Sequence, residues 1–428
     1  MIITITPYKS RKKLTNNLRR SKRFYLLEMM CYTRTRYIFL IFNSGELISM
    51  TDRQKLDDAF RSLFEINMGI KTAERVLVFS DIIRPDETPS DSDLDRRTRL
   101  NTTARAAAEF AKMTYGSGEF VEFPATPASG TEPPVALWLA TFGPAIISAL
   151  ESDGVLTKLL AKAASTDEIN RAKEIVRTHK QDVADIIIAL SNNSTSHTRY
   201  RALACTAGCR FASLPHFDPE MFHTSMTVDW RTLAARTAKL VEAVNKAEWI
   251  RITTPNGTDM NICKQGRHAG GDDGLLTEPG SFGNLPAGEA YFAPLEGKSH
   301  GTMVIEWGPT RKLNEAVTLT VENGVVVQMS GNDPHRIRLE EKFAEHENCR
   351  NIAELGIGTN DKASRPDNVL EAEKILGTIH IALGDNSGFG GMVSAPFHED
   401  YVFYHPTLTA TRADGSKQII IDNGVMKL

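Results

Sequence analysis

Near residue 246 the pattern of the chain changes, and this switch limits the available folds more than any other feature. Before it, strand-length apolar runs alternate with helical segments. "RVLVFSD" (75–81) is a short apolar strand ending in an acid, and "TTARAAAEFAKMTYG" has helical composition with a glycine stop. "EFVEFP" reads as a strand, "VALWLATFGPAIISAL" and "DEINRAKEIVRTHK" as helices, and "ADIIIALS" as a buried strand. "SHTRYRALACTAGCRFASLP" adds a helix, with His197 and Thr198 as candidate caps, and then a strand. Strands alternating with helices predict a parallel sheet with helices on its faces. After residue 246, Asn256-Gly257, Asn323-Gly324 and Asp414-Gly415 each separate β-rich runs, and these dipeptides accept the positive φ of a tight hairpin. The expected fold class is α/β: an N-terminal parallel-sheet α/β domain over 50–245, then a β-rich α+β domain over 246–428. In the second, "EAEKILGTIH" is the clearest helix.

Charge sets residues 1–49 apart. They hold ten Lys/Arg against two acids, +8, while the whole chain carries -3, which leaves -11 from Met50 onward. The sequence from Met50, "MTDRQKLDDAF", reads as a natural helical start, so 1–49 is expected to be a basic extension outside the fold. The apolar run Tyr37 to Phe42 is far short of the roughly 20 residues a bilayer needs, and no membrane partner is expected. No basic stripe interleaved with aromatics follows Met50, so neither is nucleic acid. Five scattered cysteines (31, 205, 209, 263, 349) form no Cys-x-x-Cys pair, which suits a reducing cytoplasm. Cys205 and Cys209 read as core packing, and "GRHAGGDDG" (266–274) as a solvated loop lining a cleft.

The second domain concentrates metal-ligand residue types. His398 and Asp400 stand two apart in "APFHEDYVFYHP", so in a strand both leave one face. His380 sits in the apolar run "GTIHIALGDN", Glu354 among Ile352, Leu355 and Ile357, and Glu289 just after a Pro-Ala-Gly turn. Acids in apolar segments are costly to bury unless paired or bound to a metal. Two imidazoles and three carboxylates can hold a divalent pair such as Zn, Mn or Co, with one carboxylate bridging. Taken singly, each also reads as a satisfied core histidine, a strand end or a helix cap.

"NLPAGEAYFAP", "AELGIGTN", "ILGTIHIALGDN" and "FHEDYVF", in this order, resemble the metal motifs of the aminopeptidase T family of leucyl-aminopeptidase-type metallopeptidases. "INMGIKTAERVLVFSD" and "SHTRYRALACTAGCRFASLP" resemble the family's N-terminal domain, so the likeness runs from about residue 55 to the end. The resemblance implies a C-terminal metal-binding catalytic domain with two divalent ions (Zn, Co or Mn) on Glu289, Glu354, His380, His398 and Asp400. It also implies a homodimer and a short-peptide or small-molecule substrate. In a hydrolase mechanism Glu354 bridges the ions and an unliganded carboxylate moves the proton, for which Glu278 is the best candidate, since "TEPGSFGNLP" resembles the "EPG" segment of 2,5-dihydroxypyridine dioxygenases in the same superfamily.

The likeness has departures. Ser387 stands where the peptidases carry a tyrosine seven residues after the histidine matching His380, and the stretch from His380 to His398 is shorter than theirs; Tyr401 and Tyr404 are the candidate substitutes. The same superfamily contains the iron-dependent 2,5-dihydroxypyridine ring-cleaving dioxygenases. His380, His398 and Asp400 satisfy the composition of a 2-His-1-carboxylate Fe(II) site. Those dioxygenases place a histidine where this chain has Glu354, and lack a ligand matching His380 or Glu289. The sequence therefore ranks a cytoplasmic metallohydrolase of amide bonds first and an Fe(II) dioxygenase acting on a hydroxylated, pyridine-like aromatic second.

Overall fold

The computed structural model of the protein describes residues 26–30, 36–40 and 50–428. The expectation for residues 1–49 falls largely outside them. Strands β1 (Leu26–Met30) and β2 (Arg36–Leu40) pair antiparallel, and Leu56–Leu428 form one compact unit.

In chain order the first half contains α1 (Met50–Ser62), β3 (Val76–Ile82), α2 (Asp91–Tyr115), β4 (Glu119–Pro124), α3 (Val135–Ser152), α4 (Leu156–Leu160) and α5 (Thr166–Thr178). It continues with β5 (Ile186–Ala189), α6 (Arg199–Thr206), β6 (Arg210–Ser213) and α7 (Trp230–Asn245). The second half contains β7 (Trp249–Thr253), β8 (Asp259–Cys263), β9 (Gly270–Asp272), β10 (Phe282–Asn284), β11 (Glu289–Phe292), β12 (His300–Trp307), β13 (Lys312–Glu322) and β14 (Val325–Ser330). After these come α8 (Pro334–Glu345), β15 (Ile352–Gly358), α9 (Val369–Ala372), β16 (Ile379–Gly384), β17 (His398–Phe403), β18 (Thr407–Thr411), β19 (Lys417–Asp422) and β20 (Val425–Met426).

The expected parallel sheet is present, in the order β10-β6-β5-β3-β4. Its inner strands β3, β5 and β6 are buried on both faces because both are covered. Val76, Val78, Ile186 and Ile188 join one core with the α2 residues Leu100, Ala104, Ala107 and Ala111. Leu77, Phe79, Ile187 and Phe211 join another with α3, α5 and α6. Helix α3 is long and apolar enough to cross a membrane. It breaks at Gly143 (φ 73°) before Pro144, and its residues Leu137, Trp138, Phe142 and Ile146 are fully buried, so core packing accounts for its composition. Thr198 caps α6 by accepting from the Arg201 N–H; His197 does not cap it. Cys209 is buried and Cys205 half-buried, as core packing requires.

The second half holds two antiparallel sheets, β17-β16-β15-β11-β9 and β14-β13-β12-β8-β7-β18-β19-β20. All three expected hairpins form, at β7–β8, β13–β14 and β18–β19. The sheets share a core, in which Ile250, Ile262, Met303 and Ile305 of the larger meet Phe292, Leu355, Ile357, Ile379 and Ile381 of the smaller.

Three expectations need correction. The segment "EAEKILGTIH" is no long helix: α9 has four residues, Gly377 takes a φ of 84°, and the rest runs into β16. Lys374 in this segment is buried in ion pairs, so it could not lie on a solvated helix face. The "GRHAGGDDG" loop instead supplies edge strand β9. Strand β10 belongs to the first sheet, so the chain returns across the boundary expected at 245/246.

Asp218 ties distant segments together. Its carboxylate accepts from Arg99 of α2 at 2.9 Å and from Arg365 at 2.7 Å. Burial pushes its pKa up, but the two guanidinium hydrogen bonds outweigh this and hold it at about 2, below the ordinary 3.8. A depressed carboxylate stabilises the fold above its unfolded pKa, and this contribution disappears as pH falls from 3.8 through about 2. Asp218→Ala should cost about 1.5–3 kcal/mol in urea denaturation at pH 7. The difference from wild type should shrink across that acid window.

Candidate metal centre

Strand parity builds the site. On the smaller sheet of the second half, Leu355, Ile357, Ile379, Ile381, Tyr401 and Phe403 face the core. The alternate positions Glu289, Glu354, His380, His398 and Asp400 therefore share the opposite face. A register shift between Ile352 and Glu354 lets both obey this arrangement although they are two apart, which is how a bulge re-aims a side chain. Small residues separate the donors across the strands. Glu354 lies opposite Ala382, which lies opposite Asp400; His398 lies opposite Gly384, and His380 opposite Gly356. A Cβ at Gly356 would overlap the His380 imidazole, so glycine here makes room for that ring.

All five expected ligands converge. Glu354 Oε1 lies 3.5 Å from His380 Nε2, and its Oε2 lies 3.5 Å from His398 Nε2. Asp400 Oδ1 is 3.7 Å from His398 Nε2 and 3.9 Å from His380 Nε2, and Glu289 Oε2 is 3.4 Å from His380 Nε2. Two donor triads share Glu354, namely Glu289/Glu354/His380 and Glu354/His398/Asp400; a third, Glu373/His380/Asp400, adds a carboxylate that the motifs do not mark. Glu289 Oε2 and Asp400 Oδ1 are buried and have no hydrogen-bond partner. Unpaired buried carboxylate oxygens facing imidazole nitrogens are what a divalent cation satisfies, so the residues fit a metal. His398 is held in orientation by Nδ1, 2.7 Å from the Asp385 carbonyl oxygen.

These acids and imidazoles shift one another's protonation. Burial disfavours imidazolium, yet Glu354, Glu289 and Asp400 outweigh it at His380, at about 9. Asp400 and Glu354 do the same at His398, at about 10. Burial raises Glu354, and Asp400 adds to the rise. Binding a cation must release the imidazolium protons, so metal affinity weakens as pH falls.

Glu278 does not join this group. It is exposed, in a turn beside Gly208 that precedes β10, at the N-terminal end of the parallel strands. Glu289 follows the other end of β10. The neighbouring loop after β5 is anchored by Asp81, whose carboxylate accepts the N–H groups of Asn192 and Asn193 at 2.8 and 3.2 Å. This is the C-terminal end of the sheet, at the switch in strand order where α/β folds place ligands. His197 on that loop feels the charges of His398 and Asp385.

Neither expected tyrosine substitute is placed to act. Tyr401 faces the core side and hydrogen-bonds Glu399 and His335. The Tyr404 ring lies against Trp307. Ser387 donates to Asp385. The phenol on the donor face is Tyr291, two residues after Glu289, a spacing from which the sequence could have revealed it. The Tyr291 ring meets Phe389 edge-on at 6.1 Å, and Phe389 meets the His398 ring at 5.9 Å, so an aromatic wall flanks the donors.

The class of enzyme follows from the comparison with protein families. The family model of 2,5-dihydroxypyridine 5,6-dioxygenase (NicX) matches residues 152–426, and the chain belongs to that family. The solved structure of 2,5-dihydroxypyridine dioxygenase from Pseudomonas putida is similar at TM-score 0.60 and 18% identity, covering 89% of this chain and 98% of that one. Wild-type AmpT from Thermus thermophilus is similar at TM-score 0.53 and 12% identity, covering 88% and 100%. No curated protein matches the sequence.

Proposed function

We propose that this protein is an Fe(II)-dependent ring-cleaving dioxygenase acting on a hydroxylated, pyridine-like aromatic. The observation that carries this reading is the family match, which spans every donor of the cluster. It reverses the order expected from the motifs, where a hydrolase stood first. His380, His398 and Asp400 supply two imidazoles and one carboxylate, the donor composition of nonhaem Fe(II) oxygenases. His380 on β16 and His398 on β17 supply the two imidazoles, and Glu354 on β15 faces both. An iron ion held there would supply the electron transfer that lets dioxygen react with an electron-rich ring. The chain's own residues hold that centre dry on one side and present Phe389 and Tyr291 on the other, a surface suited to a flat ring.

Phe389→Ala should raise KM for 2,5-dihydroxypyridine roughly two- to tenfold, the size of one aromatic pair, with a smaller change in kcat. Steady-state kinetics over both substrate and oxygen concentration would check this. A fall in kcat at constant KM would mean that Phe389 supports His398 and does not touch substrate.

A second reading, a dinuclear metallohydrolase of the aminopeptidase T type, is favoured by one observation: the two oxygens of Glu354 face different imidazoles. A panel separates the two. Protein loaded with Fe(II), Zn, Mn or Co is assayed against 2,5-dihydroxypyridine in air and against aminoacyl amides and dipeptides. Turnover of the pyridine with Fe(II) alone supports the dioxygenase, and amide cleavage with Zn, Mn or Co supports the hydrolase.

A further inference from the structure

We propose that Lys374 is a built-in cation that takes the place of a second metal ion and so sets this centre to hold one. The inference rests on the metal-centre reading above and specifies its stoichiometry. Lys374 is 1% exposed, and its Nζ lies 2.5 Å from Glu289 Oε1 and 2.9 Å from Glu373 Oε1. Each of these carboxylates belongs to one of the donor triads that contain His380. The ammonium therefore already pairs with both acids on the Glu289 side of the cluster, and a dication bound there would face a fixed like charge within a few ångströms. On the other side, among the described residues, the Asp400 carboxylate is paired with the imidazoles of His380 and His398 and with no lysine or arginine.

The lysine cannot easily swing out. Its carbonyl accepts the Asn360 N–H at 2.8 Å, its own N–H donates to the Glu371 carbonyl, and Asn360 in turn accepts from Leu376. The Gly358 backbone lies so close to residues 374 and 375 that a Cβ there would overlap the Ile375 carbonyl. Asn360 is itself fixed by bonds from its amide to the Ser225 and Ala287 carbonyls. The side chain is thus delivered into the acids by a backbone held at several points, as expected of a permanent occupant.

The test is metal content by elemental analysis, after equilibration with Mn(II) and, separately, Fe(II) without oxygen, then gel filtration without chelator. Wild type should hold one ion per chain, Lys374→Met two, and Lys374→Arg one, because arginine restores the charge. Two ions in wild type, or one in a folded Lys374→Met, would overturn the proposal. If Lys374→Met does not fold, Lys374→Gln decides, because it keeps a hydrogen-bond donor for the two carboxylates without the charge: it should hold two ions, and one ion in the folded variant would refute the inference. The outcomes separate this inference from the functional reading. One ion in both wild type and Lys374→Met removes the role of Lys374 and leaves the dioxygenase reading intact. A second ion gained in Lys374→Met, with no ring cleavage by wild type, does the reverse.

Discussion

His398→Ala and Asp400→Ala should each give a folded protein that retains no iron and has no measurable ring cleavage. Both side chains stand on the donor face of β17, opposite Gly384 and Ala382, and Tyr401 and Phe403 on the other face carry the packing. Losing a partner that only orients a ligand typically costs about 10–100-fold in affinity or activity, so losing the ligand should cost more. Far-ultraviolet circular dichroism would confirm the fold, and elemental analysis the metal. Iron retained in both variants would place the centre elsewhere.

The sharper expectation is a contrast between two neighbouring strands. Under the dioxygenase reading, Glu354→Ala leaves one ion bound by His380, His398 and Asp400 and lowers turnover about 10–100-fold, because the carboxylate supports both imidazoles. His380→Ala releases the ion. Under the hydrolase reading Glu354 bridges two cations, and its removal takes away their anionic link, so two ions fall to one or none. Metal stoichiometry of wild type and both variants, purified without chelator, separates the readings.

The cluster of acids and imidazoles was legible because each of them broke a local rule. Charged or imidazole side chains stood inside runs whose other members were core residues, and period-two parity put them on one face. The three hairpins were legible for a similar reason, since Asn-Gly and Asp-Gly state the turn they need. What the sequence concealed depends on long-range packing. The bulge that re-aims Glu354 appears only when β15 is paired with β16, and Gly356 acquires its role only once His380 lies across it. Lys374 was read as part of a helix because "EAEKIL" has helical composition, and tertiary ion pairing overrode that propensity. Phe389 reaches His398 from a glycine-rich loop that has no periodicity to read. Glu278 shows the converse: a motif likeness suggested a catalytic carboxylate, and the strand direction of β10 puts it at the far end of the sheet.

The central claim is oxygen chemistry on an aromatic ring, and oxygen uptake tests it most directly. Protein reconstituted anaerobically with Fe(II) is mixed with 2,5-dihydroxypyridine in air-saturated buffer, and dissolved oxygen is followed alongside the ring's ultraviolet absorbance. The account predicts one molecule of oxygen consumed per ring lost, with no such uptake in His398→Ala. Intact ring and unchanged oxygen, together with hydrolysis of an aminoacyl amide by the Zn, Mn or Co form, would contradict it.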